Sequence, residues 1–225
     1  MCGSSTDMCR KRFFRQKSMT REYSTIIFDL GGVIIDLDKS RCIEEFEKLG
    51  YGDISGMLGN YKQSGEFLAL EEGRITPAQW RDAVRKKVGR PLSDREIDDA
   101  FNAFLVSIPQ AKLQMLSALR GKYRIAMLSN TNAVMFEGRI PEMFIEAGGR
   151  PMEEYFDDIY VSYRMKMTKP SPDIFRAVSS ALGVPPCETL FVDDSAANIA
   201  AASQLGFNTL LVEPYTDFSA KLSVK

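Results

Sequence analysis

The sequence predicts an α/β protein, a parallel-sheet core interrupted by an all-helical insertion. Three observations predict it. Short continuous apolar runs recur along the chain, as buried parallel strands do, rather than alternating with polar residues. Each of three such runs stops abruptly at polar residues: at Asp29, at Ser129-Asn130-Thr131-Asn132, and at Asp193-Asp194-Ser195. Between the first and second runs lies a long stretch with helical periodicity and helix-start signals.

In chain order, Thr25–Phe28 is the first strand, ending at Asp29. Gly31 and Gly32 follow, allowing a sharp turn and close approach of a ligand to the main chain, and then a second apolar run, Val33–Ile35. Open α/β sheets place their ligands at the carboxyl ends of their strands, so Asp29 reads as a reactive group at the sheet rim. Ser40–Leu49 is helical, with Cys42, Ile43, Phe46 and Leu49 as its apolar positions and Gly50 as its stop. Asp53–Gly73 reads as one or two further helices. Thr76-Pro77-Ala78-Gln79 and Ser93-Asp94-Arg95-Glu96 are capping boxes that open two more. The second is expected to carry Ile97, Phe101, Phe104, Leu105 and Ile108 along one face. From Pro109 the α/β alternation resumes, with strands ending at Ser129, at Ser162 and at Asp193-Asp194 and a last one over Asn208–Val212. Pro141 is expected to break the helical stretch Met135–Gly148, and Ser171-Pro172-Asp173 opens a helix just after Lys169.

Bulk properties narrow the chemistry. The 225 residues suffice for one α/β core and a modest insertion, with 44% hydrophobic and 26% charged residues. A net charge of −1 offers no field for nucleic acid or membrane, and no apolar run is long enough to span a bilayer. The four cysteines, without a Cys-x-x-Cys pair, argue against a zinc site or a disulfide framework and fit a reducing cytoplasm. Met1–Ser18 reads as a loose basic tail; Met19 is an alternative start, so removing what precedes it is expected to leave fold and activity intact. There is no histidine. That removes histidine-based nucleophilic systems, histidine general bases and histidine-ligated zinc. A divalent metal here would find oxygen ligands, which points to Mg²⁺.

A nucleophilic carboxylate (Asp29), a hydroxyl donor (Ser129), a cation (Lys169) and an acid pair (Asp193-Asp194) together describe phosphoryl transfer through an aspartyl phosphate. In order and on these elements, the groups resemble the four motifs of the haloacid dehalogenase-like hydrolase superfamily. The DLGGV, LSNTN and VDDS wording is most similar to its bacterial sugar-phosphate phosphatase branch, including α-glucose-1-phosphatases. The resemblance implies a Rossmann-like core over residues 19–39 and 109–225 and a helical cap over 40–108, with residues 1–18 as a flexible tail. It implies catalytic roles for Asp29, Ser129 and Lys169, and phosphate binding by Gly31, Ser129, Asn130 and Lys169. Mg²⁺ would be held by Asp29, the Gly31 carbonyl and Asp194, with Asp193 orienting a metal-bound water or Lys169. The implied substrate is a small phosphorylated metabolite such as a hexose 1-phosphate; monomer and homodimer both remain open.

Two departures stand out. Most phosphatases of the superfamily carry a second aspartate, a general acid and base, two residues after the nucleophile; here that position is Gly31. Asp36 and Asp38 follow in the turn and are candidates for its role, although solvated turn carboxylates are the expectation there. Asn198 stands where many relatives have a further acid. The missing aspartate keeps a non-catalytic phosphometabolite binder open, beside a metal-independent dehalogenase using the same nucleophile. A phosphorylation-receiver domain is disfavoured, because its acid pair precedes the phosphorylated aspartate. Trp80, Phe101 and Phe104 are expected in the core of the insertion, and Glu71-Glu72 as solvated helix-end charges.

Overall fold

The computed structural model describes residues 23–59 and 63–222; the N-terminal tail, 1–18, lies outside them. Five parallel strands form the sheet: β1 (Thr25–Phe28), β4 (Arg124–Ser129), β5 (Asp158–Val161), β6 (Thr189–Asp193) and β7 (Asn208–Leu211). Their order is β5-β4-β1-β6-β7, so the chain runs outward on one side of β1 and then returns to the other. Every residue of β1 is buried, since both faces of the sheet are covered, and this explains its unbroken apolar run. Ile26 and Phe28 belong to the core on one face, while Ile27 meets Ala126, Leu128 and Phe191 on the other. That second face is closed by a helix over Pro172–Leu182, through Ile174, Phe175 and Val178.

Four helices follow β1 within residues 39–102: α1 (Lys39–Lys48), α2 (Gly65–Glu71), α3 (Pro77–Val88) and α4 (Asp94–Asn102). Asp38 caps α1, accepting from the Ser40 and Arg41 amides, and both expected capping boxes open α3 and α4. The helices close on an aromatic cluster: the Trp80 ring lies 4.9 Å from Phe101 and 5.5 Å from Phe67, and Phe46 joins both phenyl rings. This cluster is continuous with the core on one face of the sheet.

The insertion is not purely helical. Helix α4 stops at Asn102, and Leu105–Ser107 forms a strand, β3, antiparallel to β2 (Asp36–Leu37). Ser107 donates its hydroxyl to Asp36 Oδ2 (3.2 Å), and the Asp38 amide donates to the Phe104 carbonyl (2.9 Å). The chain therefore leaves and re-enters the sheet edge through one two-stranded ribbon. Helical spacing extrapolated the apolar pattern across this point because Phe104, Leu105 and Ile108 suit either period.

Pro141 does not break its helix. A π-helical turn, Met135–Arg139, runs directly into a helix over Ile140–Gly148. Widening that turn accommodates a ring that cannot donate a backbone hydrogen bond. In Asp53–Gly73 only one helix, α2, forms among the described residues. Cys42 is a buried free thiol, whereas Cys187 is disulfide-bonded.

Trp80 is fully buried among Phe46, Phe67 and Phe101. Trp80→Ala should therefore cost about 3–5 kcal/mol of folding stability. Urea denaturation monitored by circular dichroism checks this; a loss under about 1 kcal/mol would show that the cluster does not hold the helices together.

Candidate active site

In this strand order the chain reverses direction between β1 and β6, and the crevice there is where such sheets bind ligands. Asp29 follows β1 and Asp193-Asp194 ends β6, side by side: the Asp29 amide donates to the Val192 carbonyl at 2.9 Å. Ligand oxygens of Asp29, Asp193 and Asp194 all lie within 4.8 Å of one another. Gly32 makes this packing feasible. Its φ is 76°, and a Cβ there would overlap the Asp194 carboxylate.

Lys169, almost inaccessible to solvent, reaches both buried acids: its Nζ lies 2.9 Å from Asp29 Oδ1 and 2.8 Å from Asp193 Oδ2. Asp29 Oδ1 also accepts from the Leu30 amide at 2.6 Å, so one carboxylate oxygen is fixed. Asp193 is saturated with donors. Besides Lys169, it accepts from the Ser195 amide (2.8 Å) and from Asn198 Nδ2 (3.0 and 3.1 Å). Asn198 thus holds Asp193 in place instead of adding a further acid. Ser195 caps the following helix, Ala196–Gln204.

The charges do not balance. Burial pushes the Asp29 carboxyl well above the usual carboxylate range; Asp193 and Asp194 add to this, and Lys169 opposes it. Asp194 is pushed up to about 6 by burial and by its neighbour Asp193. Burial alone would lower Lys169, but Asp193 and Asp29 hold it above its ordinary value. Three acids against one ammonium leave an excess of negative charge at an all-oxygen donor set. That fits a hard divalent cation such as Mg²⁺, with Asp29 and Asp194 as its carboxylates.

Asn130 fastens the Lys169 loop from β4. Its Nδ2 donates to the Lys169 carbonyl at 2.9 Å, and its Oδ1 accepts from the Lys169 amide at 2.8 Å. Asn132 Oδ1 caps the next turn by accepting from the Met135 amide (3.1 Å). Asp29, Gly31, Ser129, Asn130, Lys169 and Asp194 all line one cavity, so six of the seven residues singled out in the sequence share it. Asp193 stands behind it, fully buried. Neither Asp36 nor Asp38 is among the lining residues; one binds Ser107 and the other caps α1.

The inserted helices complete the cavity. Phe101 and Phe104 line it, whereas Trp80 stays in the helical core. Glu71, expected in solvent, is only 7% exposed and lines the cavity too. Burial pushes its carboxyl up to about 8, against the pull of Lys169. The sequence did contain a signal for this. Glu71 is four residues after Phe67 and adjacent to Leu70, hence on the apolar face of α2. Its placement is anchored to the sheet edge. The Ser162 hydroxyl lies 2.7 Å from the Glu71 carbonyl and 2.8 Å from the Thr131 carbonyl, and Gly73 sits so close to the Tyr163 carbonyl that a Cβ would collide with it.

Comparison with known proteins agrees with this geometry. Residues 23–206 match the haloacid dehalogenase-like hydrolase family. The D-ribitol-5-phosphate phosphatase of Bacteroides thetaiotaomicron is 38% identical over 200 residues, covering 88% of this chain and 96% of that protein. A crystal structure of a Bacteroides thetaiotaomicron enzyme of this family, in complex with magnesium and inorganic phosphate, superposes with a TM-score of 0.81 at 40% identity, covering 89% of this chain and all of that one. A HAD-like hydrolase from Porphyromonas gingivalis gives a TM-score of 0.83 at 35% identity, covering 89% of this chain and 96% of that one. With its sheet order, its acidic crevice and these relatives in agreement, the chain belongs to the haloacid dehalogenase-like hydrolase family.

Proposed function

We propose that the protein is a Mg²⁺-dependent phosphatase of a small phosphorylated sugar or sugar alcohol, working through a phosphoaspartate on Asp29. The observation that carries this reading is the convergence of Asp29, Lys169 and Asp194 on one cavity that Ser129 and Asn130 also line. Mg²⁺, held by Asp29, the Gly31 carbonyl and Asp194, supplies charge neutralisation that lets one anion approach another. Lys169 contributes a fixed positive charge to the phosphoryl oxygens, and Asp193 orients its ammonium. The Ser129 hydroxyl and the Asn130 amide donate to those oxygens as charge spreads over them. Asp29 attacks phosphorus, and water then hydrolyses the phosphoenzyme.

Segment 40–108 acts as a cap in this reading, excluding water and selecting a small substrate rather than a phosphoprotein. Its contribution to the cavity mixes Gln63 and Glu71 with Phe101 and Phe104, suited to a hydroxylated carbon chain. The likeness to a D-ribitol-5-phosphate phosphatase supports a polyol phosphate, and D-ribitol 5-phosphate and hexose 1-phosphates are the first compounds to assay.

Asp29→Asn should lower phosphate release by at least about 10³-fold while keeping the circular dichroism spectrum of the folded chain. Activity at the wild-type rate would dismiss Asp29 as nucleophile. Chelation with EDTA should abolish turnover and excess Mg²⁺ should restore it; metal-free chloride release from 2-haloacids would favour the dehalogenase instead. Gly32→Ala displaces the Asp194 carboxylate. The half-saturating Mg²⁺ concentration should rise about 10-fold or more, and an unchanged value would show that Asp194 is not a ligand.

A further inference from the structure

Beside Asp29 the site offers only the Lys169 ammonium, which Asp193 and Asp29 hold protonated and which is therefore a poor donor to a departing alkoxide. Position 31 is glycine, and the room a side chain would occupy there is taken: Leu37 Cδ1 lies 2.7 Å from where a Cβ would be. Among the described residues, the only carboxyl lining the cavity besides Asp29 and Asp194 is Glu71. It comes from the inserted helices, not from the sheet. Its carboxyl accepts no hydrogen bond from any described residue, although the side chain is more than nine-tenths buried. The residue lines the cavity, where a bound group can meet the carboxyl.

We propose that Glu71 is the general acid and base of this enzyme, replacing across the cavity the aspartate absent at position 31. The assignment rests on the phosphatase reading above and deepens it. In the first half-reaction an Asp29 carboxylate oxygen bonds to phosphorus as the ester P–O bond breaks. The departing oxygen takes the proton of the Glu71 carboxyl, which becomes a carboxylate. In the second half that carboxylate takes a proton from the water whose oxygen bonds to phosphorus while the bond to Asp29 breaks. Glu71 is thereby reprotonated, and the products are the alcohol and inorganic phosphate.

The surroundings of Glu71 suit both states. Burial keeps its proton at neutral pH, with its carboxyl up at about 8. Lys169, from the loop preceding the Pro172–Leu182 helix, favours the carboxylate that forms on transfer, and Glu72 on its own helix opposes it. Asp29 and Asp194 are the other charged side chains lining the cavity. The backbone at Glu71 is positioned by the Ser162 hydroxyl and by the close seat of Gly73 on Tyr163. Such anchoring is what a proton donor needs if it is to meet the leaving oxygen at hydrogen-bond distance.

The test is the leaving-group dependence of the first turnover, followed in the full chain with Mg²⁺ by rapid mixing. D-ribitol 5-phosphate leaves as an alkoxide that needs a proton, whereas p-nitrophenyl phosphate leaves as a stable phenolate. In Glu71→Gln, which keeps the shape and hydrogen-bonding reach but carries no transferable proton, release of ribitol should slow by about 10²–10⁴-fold. The burst of p-nitrophenolate should stay within about 3-fold of wild type, followed by slow turnover, because phosphoenzyme hydrolysis has lost its base. Glu71→Asp, which keeps a proton, should recover part of the ribitol rate. Equal slowing of both esters would make Glu71 a positioning residue only. Unchanged rates on both would remove it from the reaction. A wild-type chain that hydrolyses neither ester would overturn the phosphatase reading itself, and the acid with it.

Discussion

Lys169 holds an ammonium with almost no access to water, shared between Asp29 and Asp193, and much of the sheet edge is arranged to keep it there. A buried charge with one partner removed costs about 3–5 kcal/mol, so each of its neighbours is itself held. Asn130 clamps the main chain at Lys169 through both of its amide groups. Asn198 and the Ser195 amide saturate Asp193, and the Leu30 amide fixes Asp29. The ammonium compensates only part of the local charge. The remaining excess of negative charge at Asp29 and Asp194 suits a hard cation.

Topology makes this cluster attainable. Because the strand order reverses beside β1, residues more than 160 positions apart in the chain become neighbours at one rim. The strands themselves need only be short and apolar. Apart from Lys169, what carries chemistry lies at or one residue past their ends, where the backbone turns toward the crevice. Glycine at 32 belongs to the same logic: it is needed less for the turn itself than for the room it leaves to a carboxylate on the adjacent strand end.

This explains what could be read in the sequence. Strands β1, β4 and β6 were legible because parallel strands buried on both faces leave unbroken apolar runs that stop at polar residues. The same stops gave Asp29, Ser129 and Asp193-Asp194, and capping boxes gave the starts of α3 and α4. Contacts between the insertion and the sheet were not legible, since they depend on how two distant segments meet. Glu71 was misread as solvated because nothing local says what covers its face of α2; Phe101 and Phe104 are interior packing as expected, and also line the cavity. The β2–β3 ribbon was hidden by residues whose spacing satisfies helix and strand alike.

The methyl of Leu37 beside Gly31 has an evolutionary consequence. Gly31 has an ordinary φ, so a side chain is sterically barred there only by a flexible neighbour that also shapes the cavity. Gaining an acid at that position would therefore require Leu37, which lines the cavity, to shift. A side chain at position 31 is thus coupled to the shape of the cavity wall, because the group that must give way to it is part of that wall.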